Sequence, residues 1–185
     1  MYGLVNQGLK DMVCHQAGID AWREVCAHAG MATDDFDLLQ TYDDASTARL
    51  VSSISEILNI SESDVLLRFG SYWVTFTAQQ GYGPIMDLFG KDFRSCLRNL
   101  NRMHAHMGAV MPKLCPPRFE VYEEGAASVH VHYFSSRQGL SPMVLGLLQG
   151  LADKFGERVS INMLNMLPSA SATEGIRFKI EFLAV

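Results

Sequence analysis

PKLCPPRFEVYEEGAASVHVHYFSSR, residues 112–137, is where the periodicity of the chain changes. After Pro116 and Pro117, Phe119 and Val121 alternate with Arg118, Glu120 and Tyr122, the two-residue period of a half-buried strand. Glu124, Gly125 and Ala126 make a turn, and alternation resumes over 127–135, so the stretch predicts a β-hairpin. Upstream of it the apolar residues recur at helical spacing. Downstream, a helix over 141–155 and strands over about 158–166 and 176–184 complete the order β-β-α-β-β. Helices first and that order second predict an α+β fold with a four-stranded antiparallel sheet.

Toward the N-terminus, residues 2–16 and 19–29 predict two short helices separated by Gly18, and 31–44 is acidic and irregular. Asp44 is placed to cap a helix over 45–58, where Leu50, Val51, Ile54, Ile57 and Leu58 share a face. Ser61 with Asp64 resembles a capping box opening a helix over 62–78, whose stripe includes Phe69, Trp73 and Phe76. Gly81, Gly83 and Pro84 break that helix, and a longer one runs from about 91 to 111, stopped by Pro112. Further on, Ser141-Pro142 reads as a capping serine with proline at the first helical position, and PSASATEG, 168–175, as a turn-rich loop.

The composition bounds the function. A chain of 185 residues fits one domain. At that size roughly 70% of the unfolded surface is buried on folding, so neither disulfides nor a structural metal is needed. An apolar fraction of 48% excludes long disorder, and no stretch approaches the roughly 18 apolar residues of a membrane span. Fifteen basic against twenty acidic residues leave −5, which does not attract nucleic acid. The first residues show no secretory signal, so the expected compartment is the cytoplasm. Cys14, Cys26, Cys96 and Cys115 stand far apart without a CxxC pair, and read as reduced, buried thiols. Hydrolase and nucleotide-binding signatures such as GxSxG, Walker A, GxGxxG and HExxH are missing. Ten Met and ten Phe are many for this length; they either fill an ordinary core or line an apolar cavity.

Two constellations carry possible chemistry. On the 91–111 helix, His104 shares a face with Leu97, Leu100, Met107, Gly108 and Met111, whereas His106 is rotated about 200° away, beside Arg98 and Arg102. The two histidines therefore cannot chelate one metal. His104 is either a core histidine satisfied by a backbone carbonyl or an axial ligand to a metallocofactor in an apolar pocket, with Gly108 leaving room for a flat group. In the second constellation, Tyr133, Ser135 and Arg137 recur at a spacing of two, which places them on one face of a strand with Val129 and Val131. They are either a strand running into a polar loop or a donor set for carboxylates, such as the two propionates of a porphyrin. His130 and His132 point to the other face, where a zinc site would lack its remaining ligands.

The two constellations occur together in one family. The chain resembles a stand-alone heme nitric oxide/oxygen-binding (H-NOX) domain, the sensor also fused into soluble guanylate cyclase. The resemblance is carried by MYGLVN at the start, FGSYWVTFT at 69–77, LNRMHAHMGAVMPKLCPPRF at 100–119, YFSSR at 133–137 and SPMVLGLLQG at 141–150, and it extends over essentially the whole length. It implies heme b as cofactor, His104 as the proximal iron ligand, and Tyr133, Ser135 and Arg137 as holders of the propionates. Pro117 would be the proline that presses the porphyrin out of plane, and Val5 and Trp73 would line the distal side. The family's O2-binding members carry a distal tyrosine on the helix at 141–155, where this chain has Met143. The implied ligands are therefore NO and CO, with O2 excluded for want of that hydroxyl; the indole N–H of Trp73 is the remaining candidate donor. The resemblance further implies a single domain over 1–185, with a helical distal lobe over about 1–62. A proximal lobe over about 63–185 would bear the ligand helix and the sheet. The domain would be a non-enzymatic sensor whose signal passes in trans to a histidine kinase or a cyclic-di-nucleotide enzyme. The rival readings are a heme protein for electron transfer or gas storage, a cofactor-free interaction module, and a metal-dependent enzyme built on His130 and His132.

Overall fold

The computed structural model describes residues 1–166 and 174–183. Helix α1, Gly3–His28, is one element bent at Gly18, where φ is 88°. Only glycine adopts that backbone without strain, so the two helices expected there meet end to end across a kink. Helix α2, Asp44–Leu58, is capped by Asp43, whose carboxylate accepts from the Ala45 N–H. The expectation that Asp44 is the cap is therefore corrected by one residue, and the Asp44 carboxylate is left for longer-range contacts. Helix α3, Glu62–Thr77, begins as expected, with the Ser61 hydroxyl oxygen accepting from the Asp64 N–H at 3.0 Å.

The break after α3 contains more structure than its glycines and proline suggest. A π-helical turn over Ala78–Tyr82 includes Gly81 at φ 89°, and a short helix α4, Gly83–Phe89, follows. Helix α5, Phe93–Val110, opens on a reciprocal capping box between Asp92 and Ser95. Strands β1, Arg118–Glu124, and β2, Ser128–Ser135, form the expected hairpin, with Phe119 opposite Tyr133. Helix α6, Ser141–Lys154, starts one residue earlier than its sequence signal implies. Leu140 occupies the cap position without a side-chain bond, so Ser141 is the first helical residue rather than the cap. Strands β3, Val159–Met166, and β4, Glu174–Phe182, complete an antiparallel sheet of order β1-β2-β4-β3. Of the expected loop at 168–175, residues 168–173 lie outside the described residues.

The sheet buries one face. Val129, Val131, Phe178 and Ile180 pack there against Leu97 and Leu100 of α5 and Val144, Leu148 and Leu151 of α6. A second core gathers Leu9, Trp22, Val25, Leu50, Ile54 and Phe69 from α1, α2 and α3. Helix α3 serves both cores, since Val74 belongs to the first and Val65 and Phe69 to the second. It crosses α6 at very close range through glycine. A Cβ on Gly70 would stand 2.0 Å from the Met143 carbonyl oxygen, and one on Gly146 would stand 2.0 Å from that of Leu67. No helix among the described residues is long and apolar enough to cross a membrane. Cys26 and Cys96 are buried as expected, but Cys14 is only half-buried and Cys115 is exposed.

Candidate cofactor-binding site

Between the two cores lies a cavity of about 310 Å³, at the lower end of the size of ligand pockets. All eight residues singled out from the sequence line it. His104, Pro117, Tyr133, Ser135 and Arg137 come from α5, the segment before β1, and β2 with the turn beyond it; Val5, Trp73 and Met143 come from α1, α3 and α6. Leu4, Leu100, Met103 and Met107 add to a lining that is largely apolar. Part of the methionine surplus thus belongs to a cavity, while phenylalanines such as Phe69, Phe93 and Phe178 fill the cores.

His104 is held by packing and by its neighbours' backbone. Its ring lies 6.0 Å from that of Phe119, which in turn lies 5.7 Å from Tyr133. The side chain of Asn101, three residues before His104, donates to the Phe119 carbonyl at 2.6 Å and accepts from the Phe119 N–H at 2.9 Å. That pair of bonds imitates a strand partner and fastens the start of β1 to α5. Burial pushes the His104 imidazole below its ordinary pKa, and the Pro117 carbonyl acts in the opposite sense without cancelling the shift. The ring is therefore neutral near pH 7, the state in which imidazole ligates a metal. Its Nδ1 is buried without a hydrogen bond of acceptable geometry. Leaving a buried polar atom unsatisfied costs about 1–3 kcal/mol, so the position calls for an explanation other than packing.

At the polar end, the Ser135 hydroxyl oxygen accepts from the Arg137 backbone N–H at 3.0 Å. The Arg137 guanidinium donates through Nε to Asp44 at 2.7 Å and through Nη1 to the Cys115 carbonyl at 2.8 Å. Asp44 also accepts from the Met1 amine. Burial pushes the Asp44 carboxyl up, but the bonds from the Met1 amine and Arg137 outweigh it and leave the group below the usual carboxylate value. Arg137 thus ties β2 to α2 and to the segment before Pro116, with Nη2 outside these bonds. On the other side, Trp73 stacks edge-on against Phe69 at 5.6 Å, and its indole N–H makes no hydrogen bond among the described residues.

Sequence reasoning missed four contributors: Asn101, Asp44, the Gly70–Gly146 crossing and Tyr82. Tyr82, on the π-helical turn, lines the cavity and makes no side-chain hydrogen bond among the described residues. Only Asn101 left a sequence signal, an amide one helical turn before His104. His130 and His132 lie on β2 away from the cavity, and no group of three or more metal-ligating side chains is found among the described residues.

A neutral, half-buried imidazole with an orphaned nitrogen, an apolar cavity and a guanidinium and hydroxyl at one end fit a flat, apolar, dianionic macrocycle with an axial coordination site. Comparisons with known proteins point the same way. An H-NOX protein from S. oneidensis in the Fe(II)NO ligation state superposes with TM-score 0.87 at 21% identity, covering 100% of both chains. A mutant of T. tengcongensis H-NOX gives 0.85 at 18%, covering 98% of this chain and 97% of that one; at these identities the shared property is the fold. Soluble guanylate cyclase gcy-37 of Caenorhabditis elegans is 28% identical over 82% of this chain and 22% of its own length. Soluble guanylate cyclase 89Da of Drosophila melanogaster is 25% identical over 84% of this chain and 23% of its own. The chain therefore spans less than a quarter of these relatives. The family model described as Haem-NO-binding matches residues 2–163, and with that the chain belongs to the H-NOX family, the heme-binding gas-sensor domains found in soluble guanylate cyclases.

Proposed function

We propose that the chain is a heme-based sensor of nitric oxide that also takes carbon monoxide, does not bind O2, and signals to a separate partner protein in the cytoplasm. The observation that carries the proposal is His104: neutral, half-buried, with a buried and unsatisfied Nδ1, at the wall of an apolar cavity. Bound heme would supply a ferrous iron with a coordination position open to a diatomic gas. His104 would be its protein ligand, with Tyr133, Ser135 and Arg137 donating to the propionates and Pro117 packing against the ring. Asp44 would orient Arg137 from outside the cavity by its bond to Nε.

Val5, Trp73 and Met143 would form the gas-binding side, and their chemistry supports the choice of ligand. Discrimination in favour of O2 rests on hydrogen-bond donors in the pocket, on which NO and CO depend much less. Met143 offers none, and Trp73 offers a single N–H. Of the other lining residues, Thr77 of α3 donates its hydroxyl to the Trp73 carbonyl, and Tyr82 of the π-helical turn carries a phenolic hydroxyl. We place the lobe boundary near residue 62, at the start of α3, so that this helix belongs to the proximal lobe while packing into both cores of one domain. The output activity would reside in the partner, a histidine kinase or a cyclic-di-nucleotide enzyme. A ligand that moves such a sensor from 99:1 to 1:99 must favour one conformation by about 5.5 kcal/mol.

The test is the visible spectrum of the purified ferrous protein with and without NO. A five-coordinate ferrous spectrum that shifts on NO addition and is stable to air supports the proposal. A colourless protein, expressed with ample heme, refutes it in favour of an interaction module, and a six-coordinate ferrous spectrum without added ligand refutes it in favour of electron transfer. His104→Ala should abolish the axial ligation, and retention of unaltered heme and NO spectra would overturn that assignment. Arg137→Ala should speed heme loss about tenfold, the worth of a charge-assisted hydrogen bond, with no change of axial ligand.

A further inference from the structure

Gly8 stands buried inside α1, well clear of either end of that helix and of its kink. It is not among the glycines with positive φ, so no turn requires it there. Within a helix glycine is less stable than alanine, because it loses more backbone freedom on folding. The reason for its presence lies across the contact with α3. A Cβ on Gly8 would stand 3.1 Å from Phe69 Cε2 and 3.2 Å from both Phe76 Cε1 and Trp73 Cζ3. Ordinary contact begins near 3.4 Å, so three rings of one helix converge on the place of one missing methyl.

The three rings are not equally free to yield. Phe69 and Phe76 are each 1% exposed and packed in separate cores, and neither lines the cavity. Trp73 lies between them, its ring centroid 5.6 Å from that of Phe69 and 5.8 Å from that of Phe76. It is half-buried and has the cavity beside it. The α3 backbone cannot draw back, since it already meets α6 at the Gly70–Gly146 crossing. Interiors are packed densely enough that added bulk moves whatever neighbour has room. A side chain at position 8 therefore drives the indole toward the cavity, which Val5 lines from the same face of α1, three residues earlier.

We infer that Gly8 is a positioning residue: it seats the Trp73 indole against α1, and so sets how long a ligand the side of the cavity lined by Val5, Trp73 and Met143 admits. The inference rests on the sensor proposal, which assigns that side to the gas. The ligands concerned are small, neutral and linear, and their length is what the indole limits. In an apolar pocket a single methylene is worth about tenfold or more in discrimination, so a small shift of a large ring is felt first by the longest ligand.

The probes are CO and the methyl, ethyl and n-butyl isocyanides, linear ligands of ferrous heme, titrated by absorbance into the heme-loaded full chain. In Gly8→Ala, affinity for CO and methyl isocyanide should change by less than about twofold, while that for n-butyl isocyanide falls about tenfold, with ethyl between. Adding Trp73→Phe removes the ring atom nearest position 8 and should restore n-butyl binding to within about threefold of the wild type. An equal loss for every ligand, or no loss for any, overturns the inference, as does a double variant as restrictive as the single one. Thermal melts of the full chain test the contact without any gas ligand. Gly8→Ala should lower the Tm in the wild type but not in the Trp73→Phe background, and an equal fall in both overturns the inference. A chain that holds no heme refutes the sensor proposal by itself, and the melts then still decide whether Gly8 seats Trp73.

Discussion

Replacing Gly146 by alanine adds a single methyl group where α6 meets the backbone of α3. The new Cβ would stand 2.0 Å from the Leu67 carbonyl oxygen and 3.0 Å from the Ser71 nitrogen, whereas ordinary contacts begin near 3.4 Å. Both neighbours are backbone, so no side chain can rotate away, and the helices must separate locally by about 1.4 Å. Separation would also stretch the 3.0 Å bond from the Ser71 hydroxyl to the Gly146 carbonyl. Overpacking of this kind costs about 3 kcal/mol at the upper end of its usual range. Alanine's helix propensity returns about 1 kcal/mol. The net loss of about 2 kcal/mol corresponds to a fall in Tm of about 4–8 °C for a chain of this length. Because Trp73 and Met143 line the cavity from these two helices, the heme absorption band should move as well. Gly70→Ala clashes at the same crossing, so once either variant has parted the helices the second methyl should cost less, and the double variant should fall short of the sum. Thermal melts of the single and double variants provide the assay. A Gly146→Ala protein that melts at or above the wild-type temperature would refute the reasoning, since it would mean the crossing is looser than its geometry.

Three further outcomes are expected. Asp44→Asn should reduce sensitivity to acid: a carboxyl held below its ordinary pKa lends stability above its unfolded value, lost as pH falls through the folded one. The gap in Tm between about pH 7 and pH 3 should therefore narrow in the variant. Gly108→Ala should raise the Tm of the heme-free protein by about 2–4 °C through helix propensity, because its Cβ would meet nothing within 4 Å. Heme loading of that variant, measured by absorbance titration, should weaken if a flat group approaches α5 there. Tyr82→Phe should leave the ferrous spectrum in air unchanged. If the wild type instead forms a stable adduct in air that the variant loses, the Tyr82 hydroxyl supplies the donor and the exclusion of O2 is wrong.

The local devices of the fold were legible because they depend on near neighbours. The Ser61 cap, the kink at Gly18, the hairpin after Pro117 and the split of His104 from His106 all follow from spacing along the chain. Asp44 and Ser141 were each misread by one position, since cap geometry is set by which residue first turns helical and not by residue type alone. The π-helical turn and α4 were hidden behind Gly81, Gly83 and Pro84, which mark a break without saying what fills it.

The site divides in the same way. The alternation of Tyr133, Ser135 and Arg137 and the apolar face around His104 are written in the sequence, as are the motifs that the family shares. What the order of residues could not contain is the distance from Asp44 to Arg137, from Asn101 to Phe119, or from Gly146 to Leu67. Those contacts join positions 18 to 93 residues apart, and they exist only once the sheet, α3 and α6 have closed on one another. The sequence by itself determined which groups were available to a cofactor. The tertiary structure alone decided that they face one cavity, because burial and hydrogen-bond geometry are properties of the packed chain.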